Sequence, residues 1–347
     1  MSFFEDLSTW INFAIFAGAA GVVLIAGTKL SGYADLIAKR TGMNQAFLGA
    51  LLLGVATSLP EIATTITGAT IGNAKLVVSN LFGGVAMQIA VLAFVDIVAL
   101  RQALTRFTPQ PILLFQGVML MLLLAMALAG SAVGEPVSVL GVGLTSVLLF
   151  AGYLFTLWIS QNPDLAPRWE ALHVKEPKIK RKDEDESGLS NAWLYSMTAL
   201  ASFAILTAGF VLAQTGDALA KQTGLGASFV GVALVAVSTS LPEVTTTLGA
   251  VRRGNHEMAV ANILGTNCLE VALFLVGDAF YRAGPLLAEV EKSAVFAGSL
   301  GMIVTGIYLV GLLERRNRTI MRMGIDSFAV LVVYLSGLGI LYYLKDS

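Results

Sequence analysis

Ten stretches of about twenty or more largely apolar residues run through this chain, near 10–30, 44–70, 75–99, 109–131, 136–160, 194–214, 226–250, 257–281, 293–313 and 325–344. A run of that length spans the hydrocarbon core of a bilayer as a helix. In lipid only helices and closed barrels satisfy every backbone polar group. The expected fold class is therefore all-α integral membrane, with ten transmembrane helices. Composition agrees: 13% of residues are charged and 56% apolar, where a soluble domain carries about a quarter charged. The start, Met1-Ser2-Phe3-Phe4-Glu5-Asp6, lacks the basic residues of a secretory signal, and the first apolar block is too long for one. It reads as a retained span.

Loop charge sets the orientation. Lys39, Arg40, Arg101, Arg106, six basic residues between 161 and 193, Arg252, Arg253, Arg315, Arg316, Arg318 and Arg322 fall on one side, sixteen in all. Lys75, Lys221, Arg282, Lys292 and Lys345, five residues, fall on the other. This imbalance places both termini outside the cytoplasm of a multi-pass plasma (inner) membrane protein. It also divides the chain into a first five-helix half (1–160), a cytoplasmic linker (161–193) and a second half (194–347). The linker's basic run, Lys175 to Lys182, is followed by Asp183-Glu184-Asp185-Glu186, and is expected to be a solvated connector. A net charge of −1 gives no support for nucleic-acid binding. The single cysteine, Cys268, excludes an intrachain disulfide framework and is expected to be a small packing residue.

The two halves are related. Sliding the sequence by 182 residues aligns 26–96 with 208–278 without a gap, and 26 of 71 positions match. The clearest block sets Thr57-Ser58-Leu59-Pro60-Glu61 against Thr239-Ser240-Leu241-Pro242-Glu243. Asp96 matches Asp278, near helix ends where solvated interfacial acids are expected. Five crossings per half turn the second repeat upside down relative to the first. Inverted repeats of this kind recur in secondary transporters, with the binding site at the midplane between them.

Glu61 and Glu243 lie mid-span, where a charge costs about 2.5–3.5 kcal/mol and normally serves a function. The preceding Pro60 and Pro242 cannot donate to the carbonyls of Ala56 and Ser238, so helices 2 and 7 are expected to be broken. Carbonyls freed around Thr57 and Thr239, together with carboxylates, are the oxygen ligands that hard cations require. On the next helix Asn80, Gly84 and Gln88 share one face; their counterparts are Asn262, Thr266 and Glu270. Thr64, Thr65, Thr246 and Thr247 are equally suited to bind an ion or to bond neighbouring helices. His256, in a short polar turn, is expected at the surface.

This constellation resembles the α-repeats of the Ca²⁺/cation antiporter superfamily, most closely its sodium/calcium exchanger-type branch. The doubled Thr-Ser-Leu-Pro-Glu carries the resemblance, with Ala261-Asn262-Ile263-Leu264-Gly265-Thr266-Asn267 and, more loosely, Ser79-Asn80-Leu81-Phe82-Gly83-Gly84-Val85 on the following helices. The α-repeats would cover about 44–99 and 226–281. The resemblance implies that Glu61 and Glu243 bind Ca²⁺ with the carbonyls of Thr57 and Thr239. It also implies that Na⁺ shares these carboxylates and uses Ser58, Ser240 and the hydroxyl of Thr266. Gly84, the partner of Thr266, has no hydroxyl; Gln88 and Glu270 stand where shorter Asn and Asp are usual. Three carboxylates can be neutralised by three Na⁺, or by one Ca²⁺ and a proton, so Ca²⁺/Na⁺ exchange and proton-coupled Ca²⁺ exchange are both expected readings. Ca²⁺ with Na⁺ or H⁺ are the transported substrates, the lipid bilayer is the surroundings, and neither a cofactor nor a protein partner is implied. The family also suggests that helices 1 and 6 slide during exchange; Gly18, Gly21 and Gly27 would let helix 1 pack closely.

A cation channel remains a less favoured reading. An intramembrane enzyme would need a catalytic set, and neither His-Glu-x-x-His nor Gly-x-Ser-x-Gly occurs. The expected activity is transport.

Overall fold

The structure, a computed structural model, describes residues 4–100, 102–108, 110–139, 141–162, 165, 190–223, 240–315 and 318–344. The first half comprises α1 (Thr9–Thr41), α2 (Gln45–Leu48), a π-turn (Gly49–Leu53), α3 (Gly54–Thr57), α4 (Leu59–Thr70), α5 (Ala74–Val95), α6 (Pro111–Val133) and α7 (Leu144–Gln161). The second comprises α8 (Asn191–Gln222), α9 (Leu241–Arg252), α10 (His256–Phe280), α11 (Lys292–Glu314) and α12 (Ile325–Leu344). Among the described residues eight helices are long and apolar enough to cross a membrane, or nine spans if α2–α4 counts as one. Of the expected span near 226–250 only the second part, α9, is described. The 161–193 linker lies almost wholly outside the described residues.

The helix ends follow local chemistry. α6 begins on Pro111, whose missing N–H costs nothing at a first turn, and stops where Gly134 takes φ 78°. α1 ends the same way at Gly42, φ 70°, whose amide bonds Ala38 O at 2.9 Å. The block expected from 136 starts as a helix only at Leu144. Residues ahead of it form a two-stranded hairpin, β1 (Ser138–Val139) against β2 (Val142–Gly143). A matching hairpin, β3 (Thr319–Ile320) against β4 (Met323–Gly324), precedes α12.

Helices α5 and α10 form the centre, with α10 buried along most of its length. α11 and α12 pack on α5, while α4, α6, α7 and α9 pack on α10. α1 and α8 pack side by side and α1 crosses α9. The outer surface carries Ile25, Leu122, Phe203, Leu313 and Leu335 exposed; that much uncovered apolar surface suits lipid rather than water. At the crossing of α10 with the π-turn the backbones nearly touch: a Cβ on Gly265 would fall on Ala50, and one on Gly49 would lie 2.6 Å from Met258 O. Only glycine permits that approach.

Two expectations need correction. Asp96 and Asp278 are not solvated; both are buried. Asp96 accepts from Leu104 N–H (2.9 Å), Gly324 N–H (3.2 Å) and the Ser327 hydroxyl (2.7 Å). Asp278 accepts from Leu286 N–H (2.8 Å) and Gly143 N–H (2.9 Å). Each therefore ties the turn after its own helix to the hairpin of the other half, where backbone donors would otherwise be orphaned. His256 is likewise buried, stacked on Phe107 with ring centroids 5.1 Å apart. Asp96→Ala would leave three buried donors unpaired, so we expect it to lower stability by roughly 3 kcal/mol or more. A melting temperature in detergent equal to the wild type's would contradict this role.

Candidate functional site

The span α2–α4 is broken where the prolines require. Ser58 leaves the helix with ψ 2°, α4 restarts at Leu59, and the two segments meet at 51°. Pro60 sits in the first turn of α4, where its missing N–H does no harm, and Glu61 follows in that same turn. α9 repeats the geometry: Ser240 has φ −90° and ψ 3°, against −82° and 2° at Ser58, and Pro242 and Glu243 open the helix. Each carboxylate thus lies at the positive end of a helix dipole, a favourable place for a negative charge. The part of the span before Ser240, with Thr239, lies outside the described residues.

The starts of α4 and α9 converge. A Cβ on Gly209 of α8 would lie 2.9 Å from Pro60 Cγ and 4.0 Å from Pro242 Cγ. Glu61 and Glu243 are close enough for their charges to interact, and Glu270 of α10 feels both. All three are buried, at 8%, 0% and 1% exposure. No Lys or Arg among the described residues pairs with them. Thr57 lies beside Glu243, and Gln88 Nε2 donates to Glu270 Oε1.

Buried oxygens without partners recur on the segments that carry these acids. Ser58 Oγ, Glu61 Oε2, Thr65 Oγ1 and Gln88 Oε1 from the first half have no hydrogen-bonding partner. Neither do both Glu243 oxygens, Asn262 Oδ1, Thr266 Oγ1, Asn267 Oδ1 and Glu270 Oε2 from the second. These ten are half of the twenty such buried atoms among the described residues, and they lie on α4, α5, α9, α10 and the break at Ser58, so polar groups that buried chains normally pair are concentrated on these segments. Among the described residues no three acidic, His or Cys side chains are gathered as a metal cluster. A cation here must draw on neutral oxygens as well as carboxylates.

Not every expected residue points inward. The Ser240 hydroxyl lies 3.2 Å from Met87 Sδ. Thr64 bonds back to Pro60 O at 2.9 Å. Thr246 and Thr247 accept from Asn262 Nδ2 at 3.1 and 3.0 Å, tying α9 to α10. Of the three glycines singled out in helix 1, Gly27 meets a neighbour, Thr245, while Gly18 and Gly21 face open space. Sequence reasoning passed over Asn267, although it lies in the quoted run, because its repeat partner is Val85. It also passed over Gly209, the repeat partner of Gly27, and over Phe210 and Gln214 beside it.

The two halves differ in access. A cavity of about 190 Å³ runs from Pro60 and Glu61 past Thr64, Thr67 and Asn80 to Ile71 and Leu76 at the surface, with Phe210 and Gln214 of α8 as its far wall. The repeat equivalents Thr246, Met258 and Asn262 are buried. There α1 closes over α9, with a Cβ on Gly249 lying only 3.2 Å from Thr28 Cα. Among the described residues the first motif thus borders a cavity, while the equivalent positions after the second motif are buried.

The sequence profile of the sodium/calcium exchanger protein family matches residues 11–159 and 193–343. The inner membrane protein YrbG of Escherichia coli is 24% identical over 296 residues, covering 85% of this chain and 86% of the relative. The sodium/calcium exchanger MaX1 of Methanosarcina acetivorans is 29% identical over 122 residues, 33% of this chain and 34% of the relative. The solved structure of the sodium-calcium exchanger NCX_Mj superposes with a TM-score of 0.70 over 96% of this chain and 99% of that one, at 16% identity. At that identity the likeness establishes the fold.

Proposed function

Because the chain belongs to the sodium/calcium exchanger protein family, we propose that it exchanges Ca²⁺ for Na⁺ by alternating access at a midplane site formed around Glu61 and Glu243. The observation that carries this reading is the meeting of two proline-bearing helix starts beside Gly209, each with a buried glutamate, Glu61 and Glu243, in its first turn. Ca²⁺ takes six to eight oxygens at about 2.3–2.6 Å. The carboxylates of Glu61 and Glu243 supply the charge that offsets dehydration, and the carbonyls of Thr57 and Thr239 complete the inner ligands. Na⁺ shares the carboxylates and uses hydroxyls such as Ser58 and Thr266. Occupation of one ligand set by either ion makes the two mutually exclusive, which is the basis of exchange. A channel would need both sides open at once; among the described residues the cavity beside Glu61 opens on the side of the first repeat.

In this reading the chain has ten spans, α9 being the second part of the seventh, arranged as two inverted five-helix repeats. Both termini lie outside the cytoplasm. The cavity ends near Lys75, on the side with few basic residues, so the state described is outward-facing. The missing hydroxyl at Gly84 favours a second reading, in which a proton replaces part of the Na⁺.

The deciding measurement is ⁴⁵Ca²⁺ uptake into sealed vesicles under an imposed Na⁺ gradient and, separately, under a pH gradient. Uptake driven by Na⁺ is the expected result; uptake driven only by the pH gradient selects the proton-coupled reading. Uptake that saturates no more than a pore does, and proceeds without a counter-ion, removes both.

A further inference from the structure

The repeat places Gly84 on α5 where Thr266 stands on α10, yet the two positions are filled in different ways. Thr266 keeps a buried hydroxyl without a partner, at 3.2 Å from where a Cβ on Gly54 would lie. Opposite it, a Cβ on Gly84 would lie 2.7 Å from Glu270 Oε2, 2.8 Å from Oε1 and 3.0 Å from Cδ. The Glu270 carboxyl therefore occupies the space that a side chain at 84 would take. It is held there by Gln88 Nε2 on Oε1, while Oε2 stays buried and without a partner.

Resting on the exchange reading above, we infer that Gly84 and Glu270 form one unit that sets the site's monovalent-ion capacity. A side chain at 84 and the glutamate carboxyl in this position compete for the same space, and the carboxyl, at the end of a flexible side chain, has to move to admit a hydroxyl. The Thr266 side offers a neutral hydroxyl to a monovalent cation, and the Gly84 side is taken up by a tethered carboxyl. The site consequently has room for one fewer Na⁺ than two hydroxyl sides would give. A serine at 84 does not by itself add an ion position, because it pushes the carboxyl off Gln88. Shortening residue 270 by one methylene withdraws the carboxyl and leaves room for both groups.

The test compares the wild type with G84S, E270D and G84S/E270D, as purified full-length protein in detergent and in proteoliposomes. Thermal melting in ion-free buffer reads the steric unit: G84S is expected to lower the midpoint by about 3–5 °C in the wild-type background, and clearly less in the E270D background. Na⁺ titration of the melting midpoint reads the capacity. The double variant is expected to reach half its Na⁺ stabilisation at a roughly threefold lower concentration, with a Hill coefficient raised by about one; neither single variant is expected to do both. A double variant no more stable than G84S, or with the Na⁺ response of the wild type, overturns the inference. So does G84S alone reproducing the double variant's response. Na⁺-driven ⁴⁵Ca²⁺ release from the proteoliposomes tests the underlying reading separately: its absence in the wild type would remove Ca²⁺/Na⁺ exchange, while the melting data still judge the Gly84–Glu270 unit.

Discussion

Glu61→Gln and Glu243→Gln are each expected to abolish Ca²⁺ transport while the protein still folds and inserts. Glutamine keeps the size of the side chain and its place in the first turn of α4 or α9, but it removes a full negative charge from a buried site. Taking away one partner of a buried charge pair costs about 3–5 kcal/mol, which corresponds to a loss of cation affinity of at least about 100-fold. Folding should survive, because neither carboxylate has a Lys or Arg partner among the described residues, and Glu243 has no hydrogen-bonding partner for either oxygen. Removing one of two facing like charges also relieves repulsion in the ion-free protein. ⁴⁵Ca²⁺ uptake, with size-exclusion chromatography as the folding control, decides the matter. Normal transport by either well-folded variant would sink the site.

The second large effect is one of access. Leu76 and Met258 occupy equivalent places in the repeat, but Leu76 is 45% exposed at the mouth of the cavity and Met258 is 0% exposed. Leu76→Cys should react quickly with a membrane-impermeant thiol reagent added outside, and Met258→Cys should be protected from either side. The native Cys268 is buried, so it should contribute little background. Ca²⁺ that promotes the opposite state should slow labelling at 76 and quicken it at 258 from the cytoplasmic side. Equal rates at the two positions, or labelling at 76 only from the cytoplasmic side, contradict the asymmetry or the proposed orientation respectively.

Much of the scaffold was legible because it is written locally. An apolar block has to become a helix in lipid, so spans expected at 44–70 and 325–344 appear as Gln45–Thr70 and Ile325–Leu344. Pro60 forces the break at Ser58 without help from any distant residue. The repeat was legible for the same reason: a matched Thr-Ser-Leu-Pro-Glu produces matched backbone angles at Ser58 and Ser240. The polar groups that were misread lie near span ends. Asp96, Asp278 and His256 resemble interfacial residues by position, and nothing local reveals that a hairpin more than a hundred residues away supplies buried donors to the aspartates, or that Phe107 covers the imidazole.

The sequence by itself determined where the long apolar helices lie, where α2–α4 breaks and where Glu61 and Glu243 fall in their helices, since each depends on residues adjacent in the chain. Tertiary structure alone decided that α8 leaves a gap beside α4 while α1 closes over α9 at the equivalent described positions. It also decided that Glu270 fills the space of Gly84. Those outcomes depend on the distance between helices and on how far a side chain reaches across it, quantities that residue type and spacing along the chain do not contain.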